Sequence, residues 1–148
     1  MEKPVIISIK GVQNTGCQEE DIMELVTHGA ITSEKNGELA LTYPETELTG
    51  MEGTMTTFRV GKDRITLHRE GVFNSDLIFE EGHKHLSLYD TPYGGVILGV
   101  RTQRAHSGLS LTGGDMEIRY ELEVDNEKVS ENYFEIHVKE PTLAAPVL

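Results

Sequence analysis

Two polar side chains occupy apolar positions of predicted strands, and these are the residues from which chemistry is most readily inferred. In "RITLHREG", Arg69 shares its alternation phase with Ile65 and Leu67, so it is predicted to point into the interior. A carboxylate head group would suit its forked guanidinium, because an unpaired buried charge is energetically expensive. Tyr120 lies in the apolar phase of "MEIRYELEV", and its hydroxyl also needs a partner. Both residues are therefore ligand-binding candidates.

Structural explanations of the same two residues remain open. Arg69 could form an internal salt bridge with a carboxylate such as Glu45 or Glu70, or it could lie beyond the rim of the sheet. Tyr120 is equally well explained as a core residue that lines the interior. Sequence alone does not choose between these alternatives.

The histidines suggest a metal site only weakly. The segment "HKH" places His83 and His85 on one face of a strand, where they could supply two metal ligands. No third ligand follows at a recognisable spacing, and exposed histidines at the start of a strand explain the pattern as well. The prediction is no metal site, with this pair as the weak candidate.

Signatures of catalysis and of cofactor binding are also missing from the sequence. No serine lies in a G-x-S-x-G elbow, and the single cysteine, Cys17, stands beside acids that would raise the pKa of its thiol. The pairs Gly94-Gly95 and Gly113-Gly114 are followed by no predicted helix, so they do not form phosphate loops. We predict no cofactor and no catalytic residues, and an enzyme is the least favoured class.

Composition and charge restrict the partners. The chain has 148 residues and a formal net charge of -12, which describes one acidic globular domain. Such a field repels phosphate backbones and argues against nucleic acid as a partner. No apolar run approaches the length of a membrane span, and the N-terminus is too short in apolar residues for a signal peptide. A cytoplasmic location without membrane contact is expected.

Antiparallel strands must position the candidate residues. Period-two alternation buries one face of "MEIRYELEV" and of "NYFEIHVK", and turn signals separate about ten short strands. Hairpins are predicted at Asn36-Gly37 (type I′), Gly61–Asp63, Glu80–Gly82, "LTGGDM" and "EVDNEK". Residues 17–29 fit a helix or a strand, and the strand is preferred because it leads into the Asn36-Gly37 hairpin.

The fold class that follows is all-β. Closing the sheet hides its edges, so we predict one antiparallel barrel, closed or nearly closed, of about 8–10 strands with at most one short helix. The barrel domain spans 1–141, and 142–148 is an apolar C-terminal tail, predicted to be loosely ordered.

The order of motifs resembles a known family. The pieces are "YPETELTGMEGTMTTFRV", "LHREG", "LYDTPYGGVILGVRT", "LTGGDMEIRYELE" and "NYFEIHVKE", which together cover most of the chain. They are similar to the bacterial YwiB-like family of unknown function. The resemblance implies a calycin-like barrel, related in shape to lipocalins and fatty-acid-binding proteins, and it brings no catalytic residues. The chain has no tryptophan, which departs from the signature of true lipocalins.

The segment "YDTPYGG" belongs to this pattern. Asp90 to Tyr93 are predicted to turn between two strands, with Pro92 at the second turn position. A ligand would enter at a barrel end, so Tyr89, Thr91 and Tyr93 become candidate rim contacts.

Two functions remain in competition. The first is a module that binds a small, anionic or amphipathic ligand inside the barrel. The second is a structural or protein-interaction barrel with a solid core, acting as a homodimer. The acidic strand face Glu117–Glu123 and the apolar tail motivate the second function.

Overall fold

The computed structural model describes residues 2–16, 20–46, 51–72 and 74–141. All regular structure in these ranges is β-strand. The strands are β1 Glu2–Asn14, β2 Asp21–Ser33, β3 Leu39–Pro44, β4 Thr54–Val60, β5 Ile65–Gly71, β6 Ser75–Phe79, β7 Lys84–Thr91, β8 Gly94–Ser107, β9 Gly113–Val124 and β10 Glu127–Lys139. Cys17 and the tail 142–148, with the prediction of its loose order, lie outside the described residues.

The strands form one antiparallel sheet that is nearly closed into a barrel. Their order is β6-β5-β4-β3-β2-β1-β10-β9-β8-β7, so the first and last strands of the chain pair in the middle of the sheet. The two sheet edges, β6 and β7, are consecutive in sequence and lie next to each other in space. This is the predicted architecture, and it converts most of the possible edges into paired strands.

The line where β6 meets β7 is the seam of the barrel. One isolated bridge, Asn74 with Asp90, joins the two sides within the described residues, through bonds of 3.1 and 3.0 Å. The hydroxyl of Ser87 also donates to the carbonyl of Asp76. The predicted Glu80–Gly82 hairpin is therefore present as a turn between antiparallel strands, but those strands do not pair along their length. In the turn the N–H of His83 donates to the carbonyl of Glu80, and its strands lie side by side but share the Asn74–Asp90 bridge instead of a continuous ladder.

The interior is filled at one end of the barrel, which we name the filled end. Inner positions near the start of β1 and β9 and the end of β10 are completely apolar and buried. They include Val5, Ile7, Met116, Ile118, Ile136 and Val138. The opposite end, reached by the second half of β1 and β9, is the open end.

Turn chemistry follows the local sequence with two corrections. Asp125 and Asn126 both adopt positive φ (51° and 71°), as a type I′ turn between β9 and β10 requires. At the Asn36-Gly37 hairpin only Gly37 does so (87°), so that turn is present but is not type I′. Strand β7 continues to Thr91, which reduces the predicted four-residue turn to Pro92 and Tyr93.

Within the described residues, the ambiguous segment is a strand from Asp21 onward, as predicted. Leu25 of β2 points into the core, whereas Ile22 and Val26 lie on the exposed outer face. These exposed apolar residues produced the apparent helical spacing. Within the described ranges, no helix has the length and apolar character that a membrane crossing requires.

Candidate ligand-binding cavity

A half-enclosed cavity of about 660 Å³ occupies the open end of the barrel. Its walls come from strands on every side of the interior, and much of the surface is apolar. The apolar residues of the wall include Ile9, Met23, Leu25, Phe58, Leu122 and Phe134. Gly11 helps to keep this space, because a Cβ at that position would lie 3.2 Å from Cε1 of Phe134. A larger side chain there would have to displace the ring or fill the cavity.

An ion pair lies in this cavity. The Nε of Arg69 is 3.8 Å from Oε2 of Glu45, and the two side chains are only 16% and 1% exposed. Thr56 Oγ1 donates to the same carboxylate oxygen at 2.5 Å. Glu70, the other partner considered from sequence, lies on the outer face beside His68, with Oε2 3.3 Å from the imidazole.

Strand register places these groups side by side. Tyr43 pairs with Thr56 across β3 and β4, Thr56 with Arg69 across β4 and β5, and Arg69 with Ser75 across β5 and β6. Directly opposite residues share a sheet face, so these side chains form one row on the inner face. Glu45 lies two residues beyond Tyr43 and therefore has the same phase. The row is polar, although inner positions at the filled end are apolar.

Arg69 keeps hydrogen-bonding capacity within this row. Its Nε is buried and has no acceptor among the residues that the structure describes. The distance to Glu45 exceeds hydrogen-bond length, so the pair is an electrostatic contact at that atom. A guanidinium has five donors in a fixed plane, and such a group in a cavity is suited to an oxyanion.

Two buried phenols complete the polar surroundings. Burial raises the pKa of Tyr120 to about 12, and the nearby positive charge of Arg69 opposes that shift. Burial also raises the pKa of Tyr43, to which the charge of Glu45 and a hydrogen bond with that carboxylate add. The Tyr120 ring packs against Phe79 at 4.8 Å and Phe134 at 6.1 Å between centroids. Both phenols therefore stay protonated near neutral pH and can act as neutral donors.

Comparison with known proteins assigns a family to this barrel. A family model described as a domain of unknown function, DUF1934, matches residues 7–136. The chain belongs to the DUF1934 family. A crystal structure of the ywiB protein from Bacillus subtilis is similar in fold, with a TM-score of 0.84 and 20% identity over 95% of this chain and 94% of that chain. The likeness to the YwiB-like family inferred from the motifs is thus confirmed. No curated protein matches the chain.

The sequence-predicted contact residues of this DUF1934 member lie at different places. Arg69, Tyr120 and Tyr89 all line the cavity. Tyr93 lies at the tip of the β7–β8 hairpin, where it is 95% exposed, so it does not line the cavity. The backbone of Thr91 pairs with Gly94 in the same hairpin, and its side chain is outside what the structure describes. The candidate rim thus includes Tyr89 and excludes Tyr93.

The candidate metal ligands lie elsewhere and bind a carboxylate. His85 Nε2 is 2.8 Å from Oε1 of Glu80, and His83 Nε2 is 3.9 Å from its Oε2. Arg64 approaches Glu80 at 3.6 Å. The hydrogen bond from His85 is the main cause that lowers the pKa of Glu80. Among the described residues, no three histidine, cysteine or acidic side chains converge to hold a metal ion.

Sequence reasoning missed several members of the polar row. Tyr43, Thr56 and Ser75 are ordinary strand residues when each is considered alone. The available signal was phase, since Tyr43 and Glu45 alternate with Pro44 and share the inner face. Register between strands was needed to bring them beside Arg69, and register depends on turn lengths.

Proposed function

We propose that the cavity at the open end binds one small ligand with an anionic head group and an apolar body. Arg69 faces the negative charge of that ligand. The observation that carries this proposal is the buried Nε of Arg69, which lines the cavity and lacks an acceptor among the described residues. A buried donor without a partner is costly, so a ligand that supplies an acceptor gains affinity.

Glu45 supports the charge of Arg69 without occupying its donors. Its Oε2 accepts from the hydroxyl of Thr56, and its carboxylate is also hydrogen-bonded with Tyr43. At 3.8 Å the carboxylate still stabilises the guanidinium electrostatically. The barrel therefore tolerates an inward arginine, and the Nε of that arginine remains available to a second anion.

The shape of the cavity fits the same class of ligand. A volume of about 660 Å³ lies within the usual range for small-molecule sites, roughly 300–1,000 Å³. The apolar wall would cover an aliphatic or aromatic body. The calycin, lipocalin-like shape implied by the family resemblance also supports this proposal, because barrels of that size can hold one small ligand.

Calorimetric titration with decanoate and with decanol tests this function. Wild type is expected to bind decanoate at least about tenfold more tightly than decanol, because only the carboxylate engages Arg69. Arg69→Gln should remove this preference. Arg119→Gln is the matched control, because Arg119 lies on the outer face over the ring of Tyr133, 4.9 Å from its centroid. Equal affinity of wild type for the two compounds, or loss of the preference in the Arg119 variant, would contradict the proposal.

A second candidate function is self-association, which an exposed apolar patch favours. Leu86 and Leu88 on the outer face of β7 are 64% and 60% exposed, and Ile97 lies opposite Leu88 on β8. The acidic face of β9 supports association less, because its carboxylates are paired. Glu117, Glu121 and Glu123 meet Arg104, Lys128 and Lys84 at 3.1, 3.3 and 2.5 Å.

Sedimentation velocity at several protein concentrations tests the dimer. A second copy packed on this patch predicts a dimer that the double variant Leu86→Lys, Leu88→Lys dissociates. A wild-type monomer at all concentrations would contradict self-association and would leave the ligand proposal unaffected.

A further inference from the structure

Ser75, at the start of β6, has a buried hydroxyl that makes no hydrogen bond to the residues that the structure describes. The residue is 6% exposed. Ser75 shares the inner phase of its strand with Leu77 and Phe79, which belong to the core. Its directly opposed neighbour on β5 is Arg69, whose Nε also lacks an acceptor there. Two buried donors without partners therefore stand side by side.

The polar row continues across the seam. Asn74 and Asp90 bridge β6 and β7 in antiparallel register. The next residues on either side are Ser75 and Tyr89, which that register sets opposite each other. Tyr89 is partly buried and lines the cavity. Ser75 and Tyr89, one from each edge of the sheet, therefore lie at the same level as Arg69; Tyr89 lines the cavity, and Ser75 lines a smaller recess at the seam.

The seam is also where the described barrel is least connected. The Asn74–Asp90 bridge and the hydrogen bond from the Ser87 hydroxyl to Asp76 join its sides, whereas neighbouring strands elsewhere share ladders of four or more residue pairs. A bound group that accepts hydrogen bonds from β5, β6 and β7 would add a connection there.

We propose that Ser75 and Arg69 together hold the oxyanion head group of the ligand, and that Tyr89 donates to the same group across the seam. This inference rests on the proposed function and specifies its head-group site. An oxyanion, whether carboxylate or phosphate, has several acceptor lone pairs and can satisfy donors from three strands at once. Binding therefore ties β6 to β7 and orders the seam.

Titration of wild type and Ser75→Ala with decanoate, decyl phosphate, decanol and inorganic phosphate tests the head-group site. Loss of a hydrogen bond to a charged group should weaken binding of an alkyl oxyanion by about tenfold or more, and it should leave decanol unchanged. The oxyanion with the larger loss identifies the head group. Thr102→Val is the matched control, because its hydroxyl is also buried without a described partner but lies on β8, beyond β6 and β7 from Arg69.

The thermal stability of Ser75→Ala without ligand is a second, independent test of the head-group site. Because Ser75 is an unsatisfied buried hydroxyl, Ser75→Ala should unfold at the same or a higher temperature than wild type without ligand. With saturating alkyl oxyanion, its stabilisation should be smaller than that of wild type. Amide hydrogen exchange in β6 and β7 should slow on binding in wild type and change less in the variant.

The outcomes separate this inference from the function on which it rests. Failure of wild type to bind any alkyl oxyanion would overturn both. Oxyanion binding that Arg69→Gln abolishes and Ser75→Ala leaves intact, with unchanged exchange at the seam, would overturn the Ser75 site and would leave the cavity function standing.

Discussion

The two ends of the barrel are built on the same strands and differ in what fills the inner face. Strand β5 shows this most directly, because Ile65 and Leu67 are buried at the filled end and Arg69 follows in the same phase at the open end. Strand β9 repeats the change, with Met116 and Ile118 followed by Tyr120. In both strands the alternation of inner and outer residues continues unchanged, and only the residue types change.

Along a single strand, the residues at the filled end therefore serve stability and those at the open end serve the proposed binding. The filled end has a fully buried apolar interior that stabilises the barrel, and the cavity of about 780 Å³ at its mouth is lined largely by polar residues of the turns. The open end keeps a cavity, an ion pair and the unpartnered hydroxyl of Ser75, which contribute less to stability than close-packed apolar side chains would. A polar residue at an inward-facing position of a strand whose other inward residues are apolar is therefore the best indicator of a binding site.

The largest expected effect comes from comparing packing at the two ends of β9. Ile118→Ala should destabilise the protein by about 3 kcal/mol, because it leaves a cavity in a fully buried core. Leu122→Ala, on the wall of the existing cavity, should lower stability by about 1 kcal/mol, because its side chain is only partly buried. Urea unfolding measures both. Equal losses would show that the two ends are packed alike.

The ion pair tests whether electrostatics contributes to stability at the open end. Glu45→Gln should cost about 2–3 kcal/mol, because it leaves Arg69 buried without a counter-charge. The double variant Glu45→Gln, Arg69→Met should be more stable than Glu45→Gln alone, since the unpaired charge is gone. Urea unfolding of both variants checks this. A double variant that is less stable than the single one would refute an unfavourable buried charge.

Alkaline pH should destabilise the open end through its phenols. In the folded state the pKa of Tyr120 is about 12, whereas that of an ordinary tyrosine is about 10. Its contribution is fully present below pH 10 and is lost as pH rises through 12, by about 1.4 kcal/mol per pH unit. Thermal unfolding of Tyr120→Phe should therefore fall less steeply over this range than that of wild type. Parallel curves would argue against a buried phenol.

A smaller effect is expected on the outer face of β5. The hydrogen bond to Asp76, at 2.5 Å, raises the pKa of His68 above its usual 6.5, and Glu70 adds to the shift. The raised pKa means that this stabilisation is complete below pH 6.5 and is lost as pH rises through the folded value. Asp76→Asn should reduce the difference in stability between pH 5.5 and 8.5 by about 0.5 kcal/mol. An unchanged difference would show that the pair of His68 and Asp76 does not contribute to the pH dependence of stability.

The strands of this structure are predictable from sequence because successive side chains of a strand point to opposite faces, so an alternating sequence gives its inner face directly. The strands containing Ile118 and Ile136 were identified with their inner faces, and Arg69 was placed inward by phase alone. The seam was not predictable, because the Glu80–Gly82 turn has the same turn residues as hairpins whose strands pair along their whole length. Ser75 was missed for a related reason, since its proximity to Arg69 depends on register.

If the proposed function is right, the open end of the barrel binds the ligand and the filled end only stabilises the fold. Titration of isotope-labelled protein with decanoate, followed by amide chemical shifts, tests this directly. Chemical-shift changes are expected at the open end, at Gly11, Leu25, Arg69 and Phe134, whereas Ile65, Met116 and Val138 at the filled end should be unchanged. Shifts confined to the filled end or to the outer face of β7 and β8, or none at saturating decanoate, would contradict it.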